Sequence, residues 1–390
     1  MDLHHSADEQ AFRAEARAWL AANVPAALPS LETAEGFAEH RAWEARLYAA
    51  RWSVVSWPRE YGGRGVDIFS WLAFEEEYYA MGAPGRVSQN GINLLAPTLF
   101  DHGSEEQRAR VLPAMASGEV IWAQAWSEPE SGSDLASLRS RAVRTDGGWL
   151  LSGQKTWSSR AAFADRAFGI FRTDPDAHAL AHAHAPKPHH GLTYLMFDLS
   201  APGVTVRPIG RLDGKPAFAE LFLDEVFVPD EDVIGEPGQG WRIAMSTTGN
   251  ERGLTLRSPG RFLAAADRLV HQWRAHDPSD TALRDRVADA VIGARAYQLF
   301  TYAGASRFAA GETIGAESSL NKVFWSEYDI ALHETALDLL GGAKAEAEFA
   351  DGAWAEGYVF ALAGPIYAGT NEIQRDIIAE RLLGLPKGRR

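Results

Sequence analysis

Apolar residues recur every three or four positions through about the first 120 residues. They alternate or cluster in short runs over 121–236, and return to the wider spacing from 237 onward. The pattern predicts helices, then strands, then helices. Phe12, Ala16, Trp19 and Leu20 share one helical face behind a capping box formed by Ser6 and Glu9. Helices are also expected over 36–50 and 69–81, and from Ser104, boxed with Gln107, to about Gly118. Between them WPREYGGRG (57–65) is broken by Pro58, Gly62, Gly63 and Gly65. In the middle zone VIWAQAWS is β-rich, and AVRTDGGWLLSG reads as two strands around an Asp-Gly-Gly turn. RAFGIFR, LTYLMFDL, VTVRPI and AELFLDEVFVP follow, separated by Gly, Pro or Asp. Short strands with no helices between them predict a small antiparallel barrel or sandwich. The third zone predicts one long helix from Trp241 to about Trp273, kinked at Pro259. Amphipathic helices over 280–310, 314–340 and 370–383 complete a bundle. The fold class is α+β, with an N-terminal helical domain (1–120), a middle β domain (121–236) and a C-terminal helical bundle (237–390), and no internal repeat.

Composition narrows the chemistry. The 390 residues include no cysteine, which removes disulfides, thiolate zinc sites, iron–sulfur clusters and a cysteine nucleophile. With 38 basic and 52 acidic residues the net charge is −14, and no basic stripe offers itself to nucleic acid. No apolar run approaches the roughly 20 residues that cross a bilayer, and no secretory signal opens the chain, so a cytoplasmic protein without a membrane partner is expected. Most of the thirteen tryptophans must be core or interface, but a flat ligand could use one or two. GxGxxG, the P-loop, HExxH and GxSxG are all missing. His178, His182, His184, His189 and His190 crowd an Ala- and Pro-rich segment (174–191). It is read as a surface loop inside the β zone, and no metal is expected.

The most informative stretches are AWSEPESGSDL (125–135) and SGQKTWSSR (152–160). Their Ser-Glu-Pro and Gly-Ser-Asp turns bring N–H and hydroxyl donors into close succession, suited to an anionic or carbonyl-rich ligand edge. Trp157, on the following strand, could stack on that ligand. An ordinary pair of β-turns is the alternative.

These segments resemble the TEPxAGSD and GxKxWIT segments of the acyl-CoA dehydrogenase family, and the resemblance covers nearly the whole chain. WPREYGGRG, HGSEEQRARVLPAMASGE, LDEVFVPDEDVIGEPGQGW, LLGG (339–342) and IYAGTNEIQRDIIAERLLGLP (366–386) all match family segments in order. The resemblance implies an α-helical domain, a β-barrel-like domain and a four-helix bundle. It also implies an FAD enzyme that removes hydrogens from the α and β carbons of an acyl-CoA, passing electrons to an electron-transferring flavoprotein or similar acceptor. By position, it assigns Trp126 and Ser127 to the flavin ring, Ser133 to the FAD pyrophosphate, and Trp157 and Ser159 to the ring face and N5 region. Thr370 and Glu372 would contact the diphosphate or adenosine part, and Gly341 and Gly342 would approach a neighbouring subunit's FAD.

Removing an α proton needs a base. Most of the family carries it as the Glu of a Y-E-G-T segment, where this chain has Ala368. NERG (250–253) resembles the long-helix segment that bears the base in isovaleryl- and long-chain-type members, which assigns the base to Glu251 with Arg252 beside it. A solvated helix carboxylate is the plainer alternative for Glu251. Ala368 keeps its N–H, which in the family polarises the thioester oxygen. The R-x-x-F-G segment that binds a neighbour's FAD is missing, and Asp338 stands where many members have Gln. Residues 275–298 are instead similar to the branch that includes actinobacterial steroid side-chain dehydrogenases built from two unlike subunits. A homo-oligomer or a heteromer with a related subunit is therefore expected. Besides a dehydrogenase, a non-catalytic partner subunit, a flavin monooxygenase or oxidase on the same fold, and a helical scaffold stay open.

Overall fold

The structure is a computed structural model that describes residues 6–173, 189–252, 258–275, 280–312 and 315–387, the side chains of 249–252 and 351 excepted. The chain divides into two compact units. One comprises residues 28–65 and 85–251, the other 1–27, 66–84 and 252–390.

The first unit is built on an eight-stranded sheet. Its strands are β1 (Trp122–Ala125), β2 (Arg141–Thr145), β3 (Gly148–Ser159), β4 (Arg166–Arg172), β5 (Leu192–Asp198), β6 (Val204–Ile209), β7 (Phe218–Pro229) and β8 (Val233–Ile234). They run in the order β6-β7-β3-β2-β4-β5-β8, with β1 beside β4. The expected antiparallel pattern holds for most neighbours, but two strands pair with β4 in parallel: β1, with Trp122 opposite Arg166, and β2, with Arg141 opposite Arg172. The β2–β3 hairpin lies between β1 and β4 in sequence, so the chain re-enters alongside β1 in the same direction. Alternation shows why β4 and β5 read as near-continuous apolar runs. Phe168, Ile170, Tyr194 and Met196 face one core cluster, while Ala167, Phe171, Leu195 and Phe197 face another.

The first of these clusters is shared with helices of the same unit: α4 (Ala96–His102), α5 (Glu105–Ala116) and α6 (Gly240–Arg252). A π-helical turn, Gly91–Leu95, precedes α4, and α2 (Ala34–Ala49) completes the unit's helices. At the start of α5 the expected capping box is present. Gln107 N donates to Ser104 Oγ at 3.1 Å and Ser104 N to Gln107 Oε1 at 3.0 Å. Ser104→Ala removes one half of this box and is expected to cost about 1 kcal/mol in urea unfolding, with the spectrum of the folded state unchanged.

The second unit is helical: α1 (Ala7–Asn23), α3 (Ile68–Ala80), α7 (Pro259–Arg274), α8 (Thr281–Ala309), α9 (Ser318–Leu340), α10 (Gly342–Asp351), α11 (Ala353–Ala361) and α12 (Asn371–Ile377). The expected kink at Pro259 is instead a helix start. Ser258 is an extended N-cap whose Oγ accepts from Gly260 N at 3.1 Å, and Pro259 occupies the first turn, where its missing N–H has no cost. α10 and α11 were not expected from the sequence. α10 has Phe349 as its one large apolar residue, α11 is short and apolar nearly all round, and glycines at 341, 342 and 352 interrupt the pattern. Phe262, Leu269, Val287, Ala294, Tyr297, Trp325 and Leu332 form the unit's core. α7 packs closely on α3 at Gly260, where a Cβ would stand 2.6 Å from the Glu75 carbonyl oxygen.

α1 is tied to this core through two buried carboxylates of α3. Arg17 donates to both carboxylate oxygens of Glu77, at 2.7 and 2.8 Å, and Arg13 Nη2 lies 2.9 Å from Glu76. Gln298 and Tyr302 of α8 also donate to Glu76.

Candidate functional site

Each unit contributes its own set of candidate residues. In the β-containing unit, Trp126 is 7% exposed, packs edge-on against Tyr194 at 6.1 Å, and has an Nε1 with no acceptor among the described residues. Ser127 follows, and its carbonyl accepts from Thr156 N at 2.9 Å, joining the 125–135 segment to β3. Ser133 is exposed at the tip of the segment.

Trp157 is held by an irregularity in β3. Lys155 pairs with Leu221 and Ser158 with Ala219, so Thr156 and Trp157 together oppose the single residue Glu220. This bulge puts Trp157 at φ 58°, a left-handed conformation uncommon outside glycine, and leaves its indole 59% exposed. Phe218 meets the ring edge-on at 5.9 Å. Arg160, three residues on, is also left-handed at φ 55°, and its guanidinium pairs with Glu32 at 3.0 Å. Ser159 is half-buried, and the Ser158 hydroxyl is buried without a partner among the described residues. A large exposed aromatic ring on a strained bulge, beside unspent hydroxyl and indole donors, suits an aromatic, oxygen-rich ligand.

In the helical unit, Ala368 and Gly369 are consecutive left-handed residues, at φ 56° and 79°. Gln374 fixes them, its Nε2 donating to the Ala368 carbonyl at 2.9 Å and to that of Gly369 at 3.4 Å. Among the described residues no acceptor takes the Ala368 N–H. Thr370 then caps α12, its Oγ1 accepting from Ile373 N at 3.3 Å. Exposed Glu372 lies in the first turn, where its own N–H and the Thr370 hydroxyl hold its carboxyl below the usual range. Asn371, between them, was not singled out from the sequence, yet it anchors the segment. Its Oδ1 accepts from buried Lys322 at 2.8 Å and from Ser326 at 3.0 Å. Gly341, at φ 63° and ψ 152°, adopts a conformation essentially reserved for glycine, while Gly342 at φ 43° has open space where a Cβ would be. Asp338 bonds Arg286 of α8 at 2.5 Å, an ion pair internal to the bundle.

Left-handed alanine costs about 1–2 kcal/mol, partly offset by the freedom glycine loses on folding. Ala368→Gly is therefore expected to leave stability unchanged or raise it by about 1 kcal/mol in urea titration. It keeps the N–H, so any ligand contact made by that group should survive the substitution.

Backbone helix extends through Glu251 and Arg252 at the end of α6, but their side chains lie outside the described residues, as do His178, His182 and His184. His189 stacks on Trp241 at 5.2 Å. No cluster of metal-ligating side chains is found among the described residues, and none of the described helices is long and apolar enough to cross a membrane.

Family models for the acyl-CoA dehydrogenase N-terminal, middle and C-terminal domains match residues 6–119, 123–226 and 238–383. The chain belongs to the acyl-CoA dehydrogenase family. It is similar to acyl-CoA dehydrogenase IpdE1 of Mycobacterium tuberculosis, with 36% identity over 394 residues, 97% of this chain and 98% of that one. Acyl-CoA dehydrogenase FadE26 of the same organism is 30% identical over the full length of both chains. Among solved structures, the Tcur3481-Tcur3483 steroid ACAD superposes with a TM-score of 0.85 at 27% identity, covering 100% of both chains. The ChsE4-ChsE5 complex from Mycobacterium tuberculosis gives 0.83, also at 27% identity and full coverage. The chain is thus an oxidoreductase of an FAD-dependent family, and in the sheet-bearing unit the unpartnered Trp126 Nε1 and Ser158 hydroxyl are donors of the kind that the cofactor's carbonyl oxygens accept.

Proposed function

We propose that this protein dehydrogenates the CoA thioester of a bulky, steroid-type acyl group to its trans-2-enoyl form, with Glu251 as the base. The observation that carries the reading is the Ala368 segment. Its side chain cannot take a proton, yet its N–H is unspent and held in place by Gln374. A carboxylate elsewhere must then remove the α proton, and Glu251, in NERG, is the residue the family pattern offers.

Bound FAD supplies the two-electron acceptor. Trp126 and Ser127 would contact its ring, Trp157 and Ser159 the ring face, Ser133 the pyrophosphate, and Thr370 and Glu372 the diphosphate or adenosine part. Gly341 and Gly342 would let the backbone approach a neighbouring subunit's cofactor. The Ala368 N–H would bond the thioester oxygen as negative charge develops there, which acidifies the α carbon. Glu251 would accept the proton, with Arg252 next to it in the sequence. Electron-transferring flavoprotein or a similar acceptor would reoxidise the enzyme.

Likeness to a steroid ACAD and to a complex of two unlike chains supports both the bulky acyl group and a heteromeric assembly with a related subunit. The test is anaerobic addition of an acyl-CoA panel to the purified protein, alone and with candidate partner subunits. Bleaching of the visible flavin bands by steroid-type thioesters ahead of straight-chain ones supports the reading. Flavin that stays oxidised with every thioester contradicts it, and protein that takes up no FAD favours a non-catalytic subunit, a reading the alanine at 368 also permits.

A further inference from the structure

The segment bearing Trp126, Ser127 and Ser133 runs from the end of β1 to the start of β2 with little strand pairing of its own. Its anchor is a side chain from β3. Lys155 is fully buried, and its Nζ donates to Glu128 Oε1 at 2.9 Å, to the Ile170 carbonyl at 2.9 Å and to the Trp126 carbonyl at 3.3 Å. Three acceptors around one nitrogen match the three protons of an ammonium. Glu128 also accepts from Arg139 N at 2.6 Å and Ser140 N at 2.9 Å, so one carboxylate ties the beginning of the segment to its end. Burial pulls the Lys155 ammonium below its ordinary value. Burial also pushes Glu128 upward, but the Lys155 charge and the bonds from residues 139 and 140 outweigh it and hold that carboxyl below its usual range. A second buried cation, Arg172, donates to the carbonyls of Ala136 and Leu138 in the same segment.

Burying an ammonium is expensive, and an apolar side chain of similar volume often serves stability as well. Here the charge lies two residues before Trp157 and bonds the carbonyl of Trp126. It therefore joins both stretches assigned to the flavin. We propose that Lys155, paired with Glu128, is a positioning residue for FAD: it fixes the Trp126–Ser133 segment relative to the Trp157 bulge so that both present their donors to one cofactor. The proposal rests on the reading that these two stretches contact FAD.

The experiment titrates FAD into deflavinated full-length protein, following flavin fluorescence and the visible band shape, with the urea midpoint of the apo form measured separately. Lys155→Met leaves Glu128 buried without its cation, so the decisive variant is Lys155→Met with Glu128→Gln, which removes both charges. The double variant is expected to recover apo stability but to bind FAD roughly 10- to 100-fold more weakly, as losses of outer-shell support at ligand sites do, and with altered vibronic structure. Wild-type affinity and band shape in the double variant overturn the proposal. A double variant that fails to fold overturns it too, because the pair would then support the sheet as a whole. Ser133→Ala and Trp157→Ala are the controls. If neither weakens FAD, the underlying assignment of the site fails. If they do and the double variant does not, only the role of Lys155 fails.

Discussion

Glu251→Gln is expected to hold its FAD and its fold while anaerobic flavin reduction by a good acyl-CoA substrate slows by roughly 10²–10⁴, the usual contribution of a general base. The amide is nearly isosteric with the acid but cannot accept the α proton. Stopped-flow absorbance in the visible flavin band measures the step directly, free of the reoxidation that limits steady-state turnover. Alanine at 368 sharpens the expectation, because no second carboxylate stands in the Tyr-Ala-Gly-Thr turn to take over. Placing a carboxylate there, with Ala368→Glu added to Glu251→Gln, tests whether the proton can be reached from that turn. Any recovered rate would show that two positions reach the same hydrogen. A Glu251→Gln enzyme that reduces its flavin as fast as wild type would move the base elsewhere in the chain or onto a partner.

The second large effect concerns the helical bundle. Asp329 is almost fully buried, accepts from Arg261 Nη1 at 2.8 Å, and lies 3.2 Å from His333 Nδ1. Burial pushes its carboxyl upward, but Arg261 and His333 outweigh that and hold it well below the ordinary range. Because the folded-state value is depressed, its contribution is present at neutral pH and lost as pH falls below about 4, where the unfolded carboxyl already binds protons. Asp329→Asn is expected to cost about 3 kcal/mol in denaturant unfolding at pH 7, since Arg261 is left without its counter-charge. It should also flatten the acid limb of the stability profile. Replacing both partners, Asp329→Leu with Arg261→Met, should cost less than the single change, and the double-mutant cycle measures the coupling. Equal stability of wild type and Asp329→Asn across pH 3–7 would remove this pair from the account of what holds the bundle.

Much of the architecture could be read from the sequence because its signals are local. Ser6 with Glu9 and Ser104 with Gln107 announce helix starts within four residues, and Asp146–Gly147 announces the β2–β3 turn. The parallel partnership of β1 with β4 could not be read this way, since it depends on how the intervening hairpin folds back. Nor could the start at Ser258, because a proline within a helical pattern is compatible with both a kink and a first turn. At the site, the residue types of Trp126, Trp157 and Thr370 were legible in their motifs, but their backbone conformations were not. The left-handed geometry of Trp157 comes from a mismatch with β7, and that of Ala368 is held by Gln374. Such conformations are imposed by surroundings and contradict local preference, so no propensity reveals them. Lys155 was visible as a motif letter, while its burial against Trp126 and Glu128 required three-dimensional neighbours.

The helical unit is assembled from three separated stretches of chain, and this shapes the order in which the protein can mature on the ribosome. α1 and α3 emerge early, bringing Arg13, Arg17, Glu76 and Glu77 together, but Gln298 and Tyr302, which also bond Glu76, belong to α8, synthesised more than 200 residues later. All of the sheet-bearing unit is synthesised by residue 251, so it can begin to close while the bundle is still being made. Until then the amino-terminal helices must wait with their apolar faces uncovered. A nascent chain halted before α8 would therefore combine a folded sheet with an exposed, protease-sensitive amino terminus, a substrate for chaperones.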